Sequence, residues 1–203
     1  SLEVDNFNTL VDAIALYRPG PRDNIDEYIK RKKGLKKVEY LVKELEPILK
    51  STYGIIIYQE QVLEILRTVG SFSYSQADNI RRAMSKKKYE LILKEKDKII
   101  NGVITKGYNI DIATKLYELI VKFSSYGFNK SHSVVYSKVA YQMAYLKSHY
   151  TMYFMKNLLN MNKGSEKLKE YLDEAKILGL LFNKVDINYS EKEFIIENNH
   201  LVI

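Results

Sequence analysis

Ser73-Tyr74-Ser75-Gln76-Ala77-Asp78-Asn79-Ile80-Arg81-Arg82-Ala83-Met84-Ser85-Lys86 carries its own helix start. Ser73 and Gln76 stand at the spacing of a capping box, in which the serine hydroxyl accepts from an amide in the first turn and the glutamine reaches back to the serine amide. That predicts a helix running toward Lys86. Helical periodicity extends on both sides of it. Upstream, Phe7, Leu10, Val11, Ile14 and Ala15 repeat at helical spacing until Arg18-Pro19-Gly20-Pro21 stops the run, and a short helix is expected over 24–32. Val62, Ile65, Leu66 and Val69 make a further stripe. Downstream, amphipathic segments over 89–106 and 110–124 are separated by Gly107, which suits a left-handed helix terminus. A last long segment, 131–161, is expected to bend or break near Tyr150. The fold class is therefore mainly α, a multi-helical domain.

Two stretches read differently. Tyr53-Gly54-Ile55-Ile56-Ile57-Tyr58 is a β-branched run that predicts a short buried strand before the polar Gln59-Glu60-Gln61. Past Lys163-Gly164 comes one more helix near 166–178, then apolar runs at 185–190, 193–197 and 200–203, with Asn198-Asn199 as the turn. This predicts a helical body over 1–163, followed over 164–203 by a helix and a short β element at the carboxy-terminal end. The final apolar run, with no polar tail, is expected to continue into a subdomain beyond residue 203. No internal repeat is present.

The 203 residues are 46% hydrophobic, enough for a real core, and 32 Lys and Arg against 25 Asp and Glu give +7. That balance favours a polyanionic partner over a cationic ligand. The charge is central: residues 51–164 carry +9, whereas 165–203 carry −3. The absence of cysteine excludes disulfides and thiolate metal sites, and His132, His149 and His200 are too scattered for a ligand pair, so no metal is expected on this chain alone. Without an apolar run of membrane-spanning length or a signal pattern, a soluble cytoplasmic protein is expected.

Arg81, Arg82, Lys86, Lys87 and Lys88 put five cations within eight residues at the end of the capped helix. Fixed guanidinium groups stabilise charge developing on a triphosphate, and arginine grips phosphate with two parallel bonds. The same cluster also reads as a solvated helix end complementing the macrodipole. The second cluster, Phe123-Ser124-Ser125-Tyr126-Gly127-Phe128-Asn129-Lys130-Ser131-His132, sets a sharp turn before a helix that Asn129 or Ser131 can cap. Lys130 and His132 beside free amides and three aromatic rings suit a phosphate under a stacked base. Read alone, it is better explained as an ordinary helix corner with Tyr126 and Phe128 in the core. On the next helix, Val135, Val139, Gln142 and Leu146 form one stripe and Ser137, Tyr141, Tyr145 and Ser148 another. The latter, an aromatic and hydroxyl face, could line a template-primer or nucleotide site or be core.

Taken in order, Ala15-Leu16-Tyr17-Arg18-Pro19-Gly20-Pro21, Tyr53 to Val62, Arg81 to Lys88 and Tyr126 to His132 resemble successive blocks of the C-family bacterial replicative DNA polymerases, the DNA polymerase III alpha subunits of DnaE type. The resemblance covers most of residues 4–190. It implies the fingers region, which closes over the palm on an incoming dNTP opposite the template base during template-directed DNA synthesis. By that resemblance Arg81 and Arg82 contact the triphosphate, Lys130, Ser131 and His132 border the nucleotide site, and Lys86, Lys88, Asn129 and Tyr136 are further possible nucleotide or template contacts. Implied partners are DNA template-primer, dNTP, the palm, thumb and carboxy-terminal domains of the same polypeptide, and a sliding clamp and other holoenzyme subunits reached through regions outside these residues. Mg2+ is implied in the full-length enzyme, held by palm aspartates.

Two departures stand out: Arg22 follows Pro21 where a small apolar residue or methionine is expected, and Ser85 replaces a glycine. Asp97, Asp111 and Asp173 stand alone on helices and Asp23 with Asp26 in a cap region, so no catalytic residue is expected here and the chain alone should be inactive. The alternative is a stand-alone basic helical nucleic-acid-binding module.

Overall fold

The computed structural model describes residues 2–18, 24–124, 127–188 and 190–202. In chain order its helices are α1 Phe7–Leu16, α2 Ile25–Lys32, α3 Glu46–Leu49, α4 Gln59–Thr68, α5 Tyr74–Ser85, α6 Tyr89–Lys94, α7 Lys96–Thr105, α8 Ile110–Ser124, α9 Lys130–His149, α10 Thr151–Met161 and α11 Leu168–Ile177. Two strands follow, β1 Ile195–Glu197 and β2 His200–Val202. The chain is mainly α, as its periodicity predicts. It forms two compact units, Ser1–Ser137 and Lys138–Ile203, so the division falls inside α9, and the change of texture past Lys163 lies within the second unit.

The capping box at α5 forms in both directions: Gln76 N donates to Ser73 Oγ at 3.3 Å, and Ser73 N donates to Gln76 Oε1 at 3.0 Å. Once started, α5 buries Ala77, Ile80, Ala83 and Met84 on one face and packs against α4, whose Val62, Ile65 and Leu66 are fully enclosed. Ile99, Val103, Leu116 and Ile120 of α7 and α8 complete this larger core. Each fully buried aliphatic side chain there contributes roughly 1.5–3 kcal/mol before the entropy of ordering is counted. A smaller core in the same unit gathers Val11, Leu16, Tyr28, Ile57 and Tyr58. Backbone meets backbone between α7 and the residue after Val69. A Cβ on Gly102 of α7 would lie 1.9 Å from the Gly70 carbonyl oxygen, so only glycine allows that approach.

Several expectations are corrected. Tyr53 and Gly54 form a turn at φ +53° and +78°, and 55–58 form no strand; a single parallel bridge joins Tyr58 to Phe128. The Gln61 side chain accounts for this, because its Oε1 accepts from the amides of Ile57 and Tyr58 at 2.8 and 3.0 Å, and those donors are lost to a ladder. The expected 89–106 helix is broken at Glu95 (φ −85°, ψ 5°), and the change of direction lets Ile92, Ile99 and Val103 enter one core. Gly107 ends α7 at φ +92°, as its position predicts. Residues 185–188 form no strand: Asp186 Oδ1 accepts from Asn188 N at 2.8 Å, and Ser190 N donates to Asp186 O at 2.7 Å.

In the second unit, Tyr150 interrupts the long helix between α9 and α10 as expected, at φ −131°, ψ 43°. β1 pairs antiparallel with β2 in the register Ile195 to Val202, Ile196 to Leu201 and Glu197 to His200. Asn198 and Asn199, at φ 47° and 63°, supply the two positive-φ residues that a tight hairpin turn requires. Leu159, Phe194 and Leu201 form the core, and the Asn160 amide clasps Phe194 by accepting from its N–H at 2.8 Å and donating to its carbonyl at 2.9 Å.

Candidate functional site

The end of α5 presents two arginines on one carboxylate. Arg81 Nε donates to Asp78 Oδ1 at 2.7 Å and Arg82 Nε to Asp78 Oδ2 at 2.6 Å. The residues lie three and four positions apart, which on a helix places both guanidiniums over the same side chain. Because Asp78 is bound through the two Nε atoms, the outer ends of both guanidinium forks stay available to an anion. The Arg81 hydrogen bond, followed by that of Arg82, holds the Asp78 carboxyl below the usual aspartate range. Arg82 is exposed, whereas the Arg81 side chain is three-quarters covered at 24% exposure. Lys86 N and Lys88 N close the helix end onto the carbonyls of Arg82 and Ala83, and Lys87 takes the left-handed conformation at φ 54°. The three lysines are exposed around the negative end of the α5 dipole.

Tyr126 and Ser125 lie outside the described residues, so the turn is seen from Gly127 onward. Asn129 caps α9, its Oδ1 accepting from His132 N at 2.9 Å. The amide of Lys130 donates to both Glu60 carboxylate oxygens, at 3.1 and 3.2 Å. The expectation of free amides beside Lys130 and His132 is therefore corrected: both N–H groups are taken, and an anion at this helix start would meet side chains first. Those side chains are accessible. Lys130, Ser131, His132 and Tyr136 are all exposed, and Lys130 Nζ sits 5.5 Å over the Tyr58 ring. Phe128, His132 and Tyr136 form an aromatic run, with centroid separations of 5.5 and 4.5 Å.

Of the following helix, only Ser133 and Ser137 are buried. Of the aromatic and hydroxyl face, Ser137 is buried whereas Tyr141 and Tyr145 are exposed, and Val135, Val139 and Leu146 are exposed as well.

Gln59 joins the two clusters. Ser85 Oγ donates to Gln59 Oε1 at 2.6 Å, Gln59 Nε2 donates to Gly127 O at 3.1 Å, and the Gln59 amide donates to Phe128 O at 2.9 Å. A side chain at the start of α4 thus ties the basic end of α5 to the turn before α9. The sequence marks Gln59 and Glu60 as polar residues of a family block and not as site residues. Arg18 is likewise not marked as one, although its guanidinium stacks 4.2 Å over the Phe128 ring and adds a cation beside the turn.

The metal implied by the polymerase resemblance finds no donor set here. No group of three or more His, Asp or Glu side chains is placed to hold one among the described residues. Asp12 is occupied by two tyrosine hydroxyls and Asp78 by two arginines. No helix among the described residues is long and apolar enough to cross a membrane.

Comparison with known proteins matches residues 1–107 to the family described as "Bacterial DNA polymerase III alpha subunit finger domain". The DNA polymerase III subunit alpha of Borreliella burgdorferi is 46% identical over 191 residues, covering 94% of this chain and 17% of that protein. Those of Halalkalibacterium halodurans and Bacillus subtilis are 46% and 44% identical over 198 residues each, covering 95% and 97% of this chain. The chain spans 17–18% of the length of these relatives. More than half of its residues match the family and nearly all of them align with these polymerase subunits, and the chain belongs to the bacterial DNA polymerase III alpha subunit finger-domain family.

Proposed function

We propose that this chain is the fingers part of a DNA-directed DNA polymerase, where it binds the triphosphate of an incoming dNTP and the template-primer. The observation that carries the reading is the Gln59 join, which makes one continuous wall from two basic, family-marking segments. On that wall Arg81 and Arg82, aligned on Asp78, grip the triphosphate. Lys130, Ser131 and His132 border the nucleotide, with Asn129 holding the turn, and Lys86, Lys88 and Tyr136 reach nucleotide or template. Prealigned guanidiniums stabilise charge on the phosphates without reorganising as it develops. Exposed aromatic rings beside them accept bases of any identity by stacking.

In this reading the full-length polypeptide works in the bacterial cytoplasm and supplies the palm, thumb and clamp-binding regions, with 164–203 as a small appended subdomain after the 1–163 helical body. Mg2+ is held by carboxylates of the palm. Arg81→Ala and Arg82→Ala in the full-length enzyme test the assignment through single-nucleotide incorporation kinetics. Each should raise the dNTP KM or lower kcat at least tenfold while the variant remains folded at the assay temperature, on the basis of about 1.4 kcal/mol per decade of lost phosphate stabilisation. Wild-type kinetics in both would refute it.

A further inference from the structure

The smaller core holds a group that its apolar surroundings do not call for. Asp12 on α1 is 4% exposed, and its carboxylate receives Tyr28 OH on Oδ2 at 2.7 Å and Tyr58 OH on Oδ1 at 2.5 Å. Burial pushes the Asp12 carboxyl up, although the hydrogen bonds from Tyr58 and Tyr28 act the other way. Burial and the facing carboxylate push both phenols far above the usual tyrosine range, so they keep their protons and donate. Phenylalanine and leucine would fill this space without desolvating a carboxylate, which is costly unless it is compensated. What hydrogen bonds add to apolar packing is direction.

The direction leads to the α9 turn. Tyr58 lies between Ile57 and Gln59, whose backbones make the bridge to Phe128, with Phe128 N donating to Ile57 O at 3.3 Å and Gln59 N to Phe128 O at 2.9 Å. The Tyr58 ring also carries Lys130 Nζ on its face. From the other side, Ser133, fully buried in the first turn of α9, donates to the carbonyl of Val11 at 2.5 Å, one residue before Asp12 on α1. The start of α9 is therefore held by α1 and by the 57–59 segment, and Asp12–Tyr58 is the side-chain bond that locks those two supports to each other. Tyr28, which packs in the same core, ties that carboxylate to α2 and makes no hydrogen bond of its own to the 57–59 segment or to α9 among the described residues.

We propose that Asp12 is a positioning residue, which acts through Tyr58 to fix Lys130, Ser131 and His132 where they meet the nucleotide. The role rests on the nucleotide reading of those three residues. Dislodging a binding group by a fraction of an ångström weakens substrate binding without removing a contact atom.

The two tyrosines supply the test, in the full-length polymerase carrying this chain. Tyr58→Phe and Tyr28→Phe each delete one hydroxyl from the same buried carboxylate. Both should lower the unfolding midpoint similarly, but Tyr58→Phe and Asp12→Asn should raise the dNTP KM about three- to tenfold and Tyr28→Phe less than about twofold. Equal KM effects of the two tyrosine variants would reduce Asp12 to a structural residue and overturn the proposal. Should Asp12→Asn fail to fold, the tyrosine pair decides, since both variants keep ring volume. Lys130→Ala separates the two ideas. A raised KM there with an unmoved KM in Tyr58→Phe overturns the Asp12 role alone, whereas an unmoved KM in Lys130→Ala overturns the nucleotide reading of the turn and the Asp12 role with it.

Discussion

Ser85 Oγ donates to Gln59 Oε1 at 2.6 Å, and with that contact the last residue of α5 is tied to the first residue of α4. The glutamine's other end donates to the Gly127 carbonyl, so one amide spans the space between two basic segments more than 40 positions apart in the chain.

Gln59→Leu keeps the volume and removes both bonds, leaving the Ser85 hydroxyl and the Gly127 carbonyl to find other partners. Each lost partner in a half-buried setting costs roughly 1 kcal/mol, so a destabilisation of about 1–3 kcal/mol is expected by urea denaturation. The dNTP KM of the full-length enzyme should rise with it. A variant as stable as wild type would show that the join is dispensable.

Glu60 caps α9 from 70 residues upstream through the Lys130 amide. Glu60→Ala should cost about 1 kcal/mol, in line with the loss of other helix caps, and amide hydrogen exchange at Lys130 should quicken. Unchanged exchange there would mean that the carboxylate does not cap the helix in solution.

Asp78 is held below its ordinary value of 3.8 by Arg81 first and Arg82 second. A depressed folded-state carboxyl contributes stability that is present above the unfolded value and lost as pH falls through the folded one. The arginine clamp should therefore be constant from pH 5 upward and release only below about pH 3.8. Carboxyl carbon NMR should give an Asp78 midpoint below that value in wild type, returning toward it in Arg81→Ala. A wild-type midpoint at or above 3.8 would contradict the clamp.

Gly102→Ala would drive a methyl into the Gly70 carbonyl, 1.9 Å away on rigid backbone. A loss of about 3 kcal/mol is expected, the upper end for overpacking, because no flexible side chain can yield. Asn101→Ala, at an exposed neighbouring position of α7, serves as the comparison; equal denaturation midpoints for the two variants would remove the close approach from the argument.

What sequence alone determined was local. The Ser73 capping box, the α4 stripe, the break at Tyr150 and the Asn198-Asn199 turn depend on hydrogen bonds and side-chain periods spanning a few residues, and each formed as read. The order of the four family blocks was legible in the same way. Tertiary structure decided the partners. Gln61 takes the amides on which a strand at 53–58 would depend, Glu60 takes the amide expected to be free at α9, and Asp12 finds Tyr58 46 residues away. Those choices are made by side chains that meet only after the helices have packed. A polar residue's type announces that it needs a partner, but the path of the backbone selects which one it reaches.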